Sequence, residues 1–315
     1  MKGKKFLSHL AAIGLFMLIS FAYFSPMIEG KKLDQPDIKN WAGAAKEAND
    51  YKNATGEESF WTNSMFGGMP TYLINNPEVP SIFQKIHKTI NKPGFRPACH
   101  LFLYMLGFYL ALLAFGVNPW LSISGAFAYG FSSYFLIIIT AGHVTKAIAL
   151  GYLPAIIGGI FLSYKRKMLL GAALMAVFLS FQLFTNHLQI TYYTLMIVIA
   201  MVFAEFTQSI IEKRLLQFAK VSVVLFLAAI LAIGSAFTSL YLIYDYGKDS
   251  MRGKTELTSE KENRTGGLDK DYATSWSYGK AETLTLIIPN FAGGESGGAL
   301  TTKSETYKTL ADNYG

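Results

Sequence analysis

The sequence predicts an all-α polytopic membrane protein with about seven transmembrane helices and a large loop after the first of them. Of the 315 residues, 51% are hydrophobic and only 16% are charged. The charged residues avoid whole stretches of about twenty residues, the length that a helix needs to cross the hydrocarbon core of a bilayer. A soluble domain of this size does not need such stretches.

Seven apolar segments have the length and composition of membrane spans. They cover residues 6–28, 99–117, 120–140, 147–163, 168–185, 188–204 and 216–241. The first segment follows Lys2, Lys4 and Lys5, and a basic start before an apolar run is also typical of a cleaved signal peptide. We favour a span, because the run is long enough to cross a bilayer and no cleavage site of small residues follows it.

The spans divide the chain into four parts. A first span in residues 1–28 is followed by a polar loop in residues 29–98, six further spans in residues 99–244 and a second polar segment in residues 245–315. The last segment is rich in turn residues and has no closing element. We therefore expect the chain to be the first part of a longer protein, with the final segment truncated.

The basic residues predict how the spans are oriented. With a cytoplasmic N-terminus, the inner side receives nine basic residues and two acidic ones, Glu205 and Glu212, which we expect in a solvated rim. The outer segments are together neutral. The entire net charge of +7 therefore lies on one side, as the positive-inside rule requires. No basic patch remains for nucleic acid, so we predict no nucleic-acid partner.

Two acidic residues open the long outer loop. Asp34 and Asp37 are three residues apart, and Asp37 follows Pro36 at the start of a helix predicted over residues 38–51. A carboxylate at a helix start can accept hydrogen bonds from free backbone N–H groups. A polar loop between spans is where we expect chemistry, and these two carboxylates are its candidate catalytic groups.

A short turn between the third and fourth spans supplies candidate cations on the same side. His143 and Lys146 are three residues apart, so a helix that begins here places both on one face. A cation near a helix start is suited to binding phosphate. The alternative is structural, with a lysine that snorkels to the membrane interface and a histidine that caps the helix.

The turn between the fifth and sixth spans is dense in polar residues. Asn186, His187 and Gln189 lie within four positions on the outer side. Their alternative role is to satisfy helix ends and to bond across neighbouring helices. Because polar groups near a bilayer interior are costly, we interpret all three outer sets as parts of one shared site.

Residues 61–72 form a run rich in aromatic residues, methionine and glycine. An apolar segment of this kind can lie along the membrane interface, with Gly67 and Gly68 allowing a tight turn. Alternatively, it fills the small core of the loop itself. The sequence leaves both interpretations open.

Several short motifs follow one another in order along the chain: Gln35 with Asp37, Trp61-Thr62, Phe66-Gly-Gly-Met-Pro-Thr-Tyr, Gly142-His143 with Lys146, Asn186-His187 with Gln189, Ser275-Trp276-Ser277, and Pro289-Asn290. Through these motifs the chain resembles the bacterial membrane protein YfhO family, over essentially its whole length. Members of that family are usually much longer, so the resemblance implies an N-terminal part.

The YfhO family in turn resembles the GT-C superfamily of glycosyltransferases. The resemblance implies a seven-helix module with a large first extracytoplasmic loop, in the bacterial inner membrane. It also implies sugar transfer from a polyprenyl-phosphate carrier to a cell-surface polymer or lipid acceptor at the outer face. Some enzymes of that superfamily use a divalent metal. We predict no cofactor here, because the sequence shows no ligand set beyond Asp34 and Asp37.

The resemblance also implies roles for the candidate residues. Asp37 matches the usual catalytic acid near the start of the first outer loop, and Asp34 is a reserve acid or metal ligand. Five residues remain for the substrates: His143 and Lys146 at the carrier phosphate, and Asn186, His187 and Gln189 at the sugar or the phosphate.

Two other classes of function fit a polytopic protein. A lipid or solute transporter also places polar residues between spans, and an assembly protein could use its outer loops for binding alone. A transporter is expected to have polar or broken helices near the middle of the membrane in both halves. The polar groups of this chain crowd one surface instead, which favours chemistry at that surface.

Overall fold

Helices account for nearly all regular structure in the computed structural model, which describes residues 2–75, 78–79, 81–248, 250, 270–275, 277–288, 291–292 and 302–314. In chain order the α-helices are α1 (Lys2–Tyr23), α2 (Pro36–Ala44), α3 (Lys46–Thr55), α4 (Ile82–Ile90), α5 (Ala98–Phe115), α6 (Pro119–Gly130), α7 (Ser133–Ala141), α8 (Val144–Lys165), α9 (Met168–Phe184), α10 (Leu188–Ile211), α11 (Leu215–Ser235), α12 (Phe237–Gly247), α13 (Lys270–Thr274) and α14 (Glu305–Tyr314). The short strands β1 (Trp61–Thr62) and β2 (Met69–Pro70) form a hairpin between α3 and α4.

The apolar helices confirm the prediction of an all-α membrane protein at a coarse level. Four of the described helices, α5, α8, α10 and α11, are long and apolar enough to cross a membrane. The pair α6 and α7 would add a fifth span and is bent by 49° at its break. Residues 7–23 of α1 and the helix α9 are apolar but shorter. Each of the seven predicted segments is therefore helical over most of its length.

Small residues bring α5 and α8 into close contact. A Cβ atom added to Gly107 of α5 would lie 2.1 Å from the backbone oxygen of Gly151 in α8. One added to Gly158, farther along α8, would lie 2.7 Å from Ala111 of α5. Small residues at such spacing let helix backbones approach in a membrane. Because the contacts advance together along both helices, α5 and α8 run in parallel and begin at the same end.

The helix α9 returns along α8 in the antiparallel direction. Gly159 of α8 lies against Gly171 of α9. A Cβ atom added to Gly171 would lie 2.4 Å from the backbone oxygen of Gly159. Near the other end, the side chain of Gln182 donates to the backbone oxygen of Ala149 at 3.0 Å. The end of α9 and the start of α10 therefore lie beside the start of α8.

Glu205 near the end of α10 differs from the solvated residue expected from the sequence. Its side chain is buried and lies 2.7 Å from Lys165 Nζ and 2.6 Å from Arg214 Nη1. Glu212, by contrast, is partly exposed and pairs with the same arginine. A buried carboxylate needs such partners, because removing an unpaired charge from water is costly.

The loop between α1 and α5 has its own anchor at Glu47 of α3. One carboxylate oxygen of Glu47 accepts hydrogen bonds from Thr62 Oγ1 at 2.5 Å and from the backbone N–H of Asn63 at 2.9 Å. These bonds hold the β-hairpin against α3. They also lower the pKa of Glu47 from its ordinary value, because they stabilise the charged form.

Replacing Glu47 by glutamine is expected to loosen the hairpin. The amide group keeps one acceptor but loses the charge that strengthens both bonds. Because the folded pKa lies below the unfolded one, the contribution of Glu47 is present above the ordinary pKa of 4.5 and is lost as the pH falls through the folded value. Hydrogen exchange at the Asn63 amide should accelerate in Glu47→Gln at pH 7 and not in Glu57→Gln, a neighbouring acid without these bonds. Equal exchange in wild type and Glu47→Gln would contradict the prediction.

The aromatic side chains of the hairpin face outward. Phe66 lies in the turn of the hairpin, has a positive φ of 53° and is 89% exposed. Phe60 and Trp61 are also exposed. Gly68 has a φ of 128°, and a Cβ atom there would lie 2.7 Å from the Trp61 ring, so the turn requires glycine. Trp61 and Phe66, which belong to the run over residues 61–72, therefore do not fill the core of the loop.

Residues 269–315 form a second compact unit. Its described elements are α13, a 3₁₀ helix (Glu282–Leu286) and α14. Trp276, Pro289 and Asn290, which belong to the motifs noted above, lie outside the described residues.

Candidate functional site

A cleft of about 900 Å³ lies between the first loop and the helix ends that meet beneath it. The loop contributes residues of α2, α3 and α4. The other wall consists of the start of α8, the end of α9 and the start of α10. Five of the residues proposed from the sequence line this cleft: Asp37, His143, Lys146, His187 and Gln189.

Gly142 explains how α2 reaches the start of α8. Its φ of 88° is in the left-handed region, and an added Cβ atom would lie 3.0 Å from Gln35 and 3.2 Å from Ile38. Only glycine satisfies both the backbone angle and the close approach. The side chain of Gln35 also donates to the backbone oxygen of Ile139 at the end of α7. Together these contacts place the first turn of α2 on the turn between α7 and α8.

Asp37 and His143 form the central pair of the cleft. Asp37 lies in the first turn of α2, and its Oδ2 atom is 2.7 Å from His143 Nε2. The exposed fractions of the two side chains are 50% and 41%. The carboxylate is therefore held in place by the imidazole and is still accessible to a molecule in the cleft.

Lys146 brings a positive charge to the same cleft. It lies one turn along α8 from His143, with its Nζ atom 5.5 Å from the centre of the Tyr134 ring. Among the described residues, no carboxylate forms an ion pair with it. A cation over an aromatic face gains a modest electrostatic attraction and keeps its charge available to an anion.

His187 lies at the start of α10 and is neutral at physiological pH. Burial lowers its pKa, and the nearby charges of Lys146 and His143 lower it further. Its Nδ1 atom is 3.4 Å from Thr145 Oγ1, and its Nε2 atom is buried without a hydrogen-bond partner among the described residues. Gln189, two residues further on, is exposed and donates to the Tyr193 hydroxyl at 2.8 Å.

Two of the residues proposed from the sequence do not line the cleft. Asp34 precedes α2 and pairs with Lys39 at 2.6 Å, with both side chains exposed. Asn186 has a φ of 59° in the turn before α10, and its buried Oδ1 atom has no described partner. Asparagine tolerates this left-handed conformation better than most residues, which accounts for its place in the turn.

Sequence reasoning missed a second polar cluster in the same cleft. His87 and Asn91 of the α4 segment are buried, and Arg96 precedes α5; all three line the cleft. The sequence does contain a signal for this cluster, because Gln84, His87 and Asn91 recur at helical spacing. Burial lowers the pKa of His87 to about 4, with the charges of Arg96 and Lys88 adding to the effect.

Among the residues that the structure describes, no three His, Cys, Asp or Glu side chains are grouped closely enough to hold a metal ion. Glu58 and Glu78, which also line the cleft, pair with Lys52 at 2.8 Å and Lys88 at 2.9 Å.

Comparison of the chain with protein-family models, with curated proteins and with solved structures gives no match. The described residues of the cleft offer one accessible carboxylate oriented by an imidazole, the cation Lys146 with no ion-pair partner among them, and neutral hydrogen-bonding groups. This set can remove a proton from a hydroxyl group and stabilise a negative charge that develops nearby.

Proposed function

We propose that the protein is a membrane glycosyltransferase that takes a sugar from a polyprenyl-phosphate carrier and transfers it to a surface polymer or lipid acceptor. The observation that supports this proposal is the convergence of Asp37, His143, Lys146 and His187 on one cleft. These residues come from three separate parts of the chain. A purely structural role for each one gives no reason for them to share a cavity.

The proposed reaction is a single displacement at the anomeric carbon. Asp37 accepts the proton of an acceptor hydroxyl group as its oxygen attacks that carbon. The bond between the anomeric carbon and the carrier phosphate breaks, and the phosphate oxygen keeps the electron pair. One base and one displacement invert the anomeric centre, by analogy with inverting glycosidases.

The contacts refine the role of each remaining residue. His143 donates to Asp37, so we assign it to orienting the base, whereas the sequence alone suggested the phosphate. Lys146 has no described carboxylate partner and is assigned to the leaving phosphate. His187 and Gln189 are assigned to neutral contacts with the sugar.

We propose the corresponding membrane arrangement from the sequence resemblance and the charge pattern. Seven spans cross the bacterial inner membrane, with a cytoplasmic N-terminus and the cleft at the outer face. This is the plan of the YfhO family and of the GT-C module. All seven segments are helical, and the cleft lies at the ends where α5, α8 and α10 begin, which is consistent with this plan.

The test is sugar transfer by the purified full chain in liposomes. A panel of radiolabelled polyprenyl-phosphate monosaccharides is supplied with lipid acceptors, and transferred label is counted. Replacing Lys146 by glutamine is expected to lower kcat/KM for the carrier by about tenfold or more, because a charge-assisted hydrogen bond contributes about 1.5–3 kcal/mol. Lys46→Gln, an exposed control paired with Asp50 outside the cleft, should transfer at the wild-type rate.

Two results would count against the proposal. One is that the wild-type protein transfers no sugar from any member of the panel. The other is that Lys146→Gln and Lys46→Gln have the same kcat/KM for every carrier that is used. The first rejects sugar transfer, and the second rejects the role of Lys146 in it.

A transporter is the second candidate, and one observation favours it. The pair α6 and α7 is bent by 49° where the two helices meet, and broken helices line the substrate sites of many transporters. Flux of a labelled lipid or solute across proteoliposomes would support this candidate if it persists in Asp37→Asn. Transfer without flux would exclude it.

A further inference from the structure

Arg96 is another cation that lines the cleft. Arg96 is half-buried in the segment between α4 and α5, and burial lowers the pKa of its guanidinium. Among the described residues it forms no ion pair. Its Nε atom donates to the backbone oxygen of Asn91 at 3.2 Å, which fixes the plane of the group and leaves its terminal N–H donors without a described partner. A partly desolvated cation of this kind is costly unless an anion joins it.

The hydrogen bonds beside Arg96 determine the tautomer of His87. The Asn91 side-chain amide donates to the backbone oxygen of His87 at 2.8 Å and to the Tyr152 hydroxyl at 3.0 Å, which uses both of its hydrogens. The third contact of the amide nitrogen, to His87 Nδ1, is longer at 3.5 Å. Because the Tyr152 oxygen already accepts from Asn91, we assign its own hydrogen to His87 Nδ1, 3.2 Å away. A neutral histidine whose Nδ1 accepts a bond carries its hydrogen on Nε2.

The Nε2–H group of His87 is thus a fixed, uncharged donor. His87 lines the cleft, and its Nε2 atom has no partner among the described residues. With a pKa of about 4, the ring stays neutral at physiological pH and the tautomer does not change. The neighbouring Lys88 does not compete for an anion, because it is paired with Glu78.

We infer that Arg96 and His87 form a second oxyanion site in the cleft, separate from Lys146, and that it binds a phosphate group. The guanidinium supplies the charge and paired N–H donors that match a tetrahedral oxyanion, and His87 supplies a third donor. The phosphate belongs either to a lipid headgroup or to a soluble ion. The inference concerns binding alone and does not depend on sugar transfer.

The test measures binding of inorganic phosphate in the Lys146→Gln background, so that the first cation does not contribute. The full chain is held in an uncharged detergent, and the apparent Kd is taken from the ³¹P linewidth. Adding Arg96→Gln is expected to raise the Kd by about tenfold or more. Adding Lys88→Gln, which removes a paired cation from the same cleft wall, should leave it within about twofold.

His87 provides a second, independent pair of variants. His87→Leu should weaken phosphate binding several-fold, whereas His87→Gln keeps an N–H donor of similar reach and should retain most of it. If Arg96→Gln does not fold, the difference in phosphate affinity between His87→Leu and His87→Gln tests the site. The ¹⁵N shifts of His87 should report the Nε2–H tautomer and should not change between about pH 5.5 and 8.

The source of the phosphate follows from competition with farnesyl phosphate, a short isoprenoid monophosphate. Displacement of inorganic phosphate by micromolar farnesyl phosphate supports a lipid headgroup, and equal affinity for the two supports a soluble ion. The inference is overturned if the Lys146→Gln chain binds no phosphate. It is also overturned if Lys88→Gln weakens binding as much as Arg96→Gln, since the effect would then be one of overall charge.

Discussion

Replacing Asp37 by asparagine is expected to lower the rate of sugar transfer by about 10²- to 10⁴-fold, the contribution typical of a general base. Asparagine has nearly the same shape and can still accept the hydrogen bond from His143, so the cleft should keep its form. It cannot take a proton from an acceptor hydroxyl group. Because the base acts only as the new bond forms, the loss should appear in kcat, with little change in the KM of the carrier.

Two matched variants test this assignment of the base. Asp50→Asn changes an exposed carboxylate of α3 that pairs with Lys46 outside the cleft, and it should transfer sugar at the wild-type rate. Asp34→Asn should do the same, since Asp34 pairs with Lys39 and does not line the cleft. If Asp37→Asn retains its rate, or if Asp34→Asn loses as much, Asp37 is not the base. Melting temperatures of all three variants establish that they are folded.

The sequence predicts the helices well because the length of an apolar run directly indicates a membrane-spanning helix. A run of apolar residues must be helical if it is to satisfy its backbone in a bilayer, whatever lies around it. The sequence singles out His143, Lys146 and His187, at the starts of α8 and α10, for a similar reason. Polar groups next to such a run are costly unless they have a function or a partner.

The sequence does not predict contacts that depend on distant packing. The sequence offers Asp34 and Asp37 as two candidate acids and prefers Asp37 through the family resemblance. It does not show that α2 begins between them and that Asp37 lies on the turn at Gly142. His87 was missed because its place in the cleft depends on Tyr152 of α8, 65 residues away. Glu205 was expected in solvent for the same reason, since its burial depends on Lys165 and Arg214.

Replacing Gly107 by leucine is expected to destabilise the protein by about 3 kcal/mol, the upper end of the range typical of overpacking. A Cβ atom at this position would lie 2.1 Å from the backbone oxygen of Gly151, and backbone atoms cannot move aside as the end of a flexible side chain can. The helices α5 and α8 would have to separate along their length. Such a separation also forfeits the dispersion contacts on both sides of the new gap.

Gly14→Leu is the matched control, because Gly14 is also helical but an added Cβ atom there meets nothing within 4 Å. It should melt close to the wild-type temperature, whereas Gly107→Leu should melt well below it. The separation should also reach the cleft, since Arg96 precedes α5 and Lys146 lies in the first turn of α8. The fraction of the Gly107→Leu protein that remains folded should therefore bind phosphate more weakly than the Gly14→Leu protein. A wild-type melting temperature in Gly107→Leu would show that α5 and α8 are not packed through these small residues.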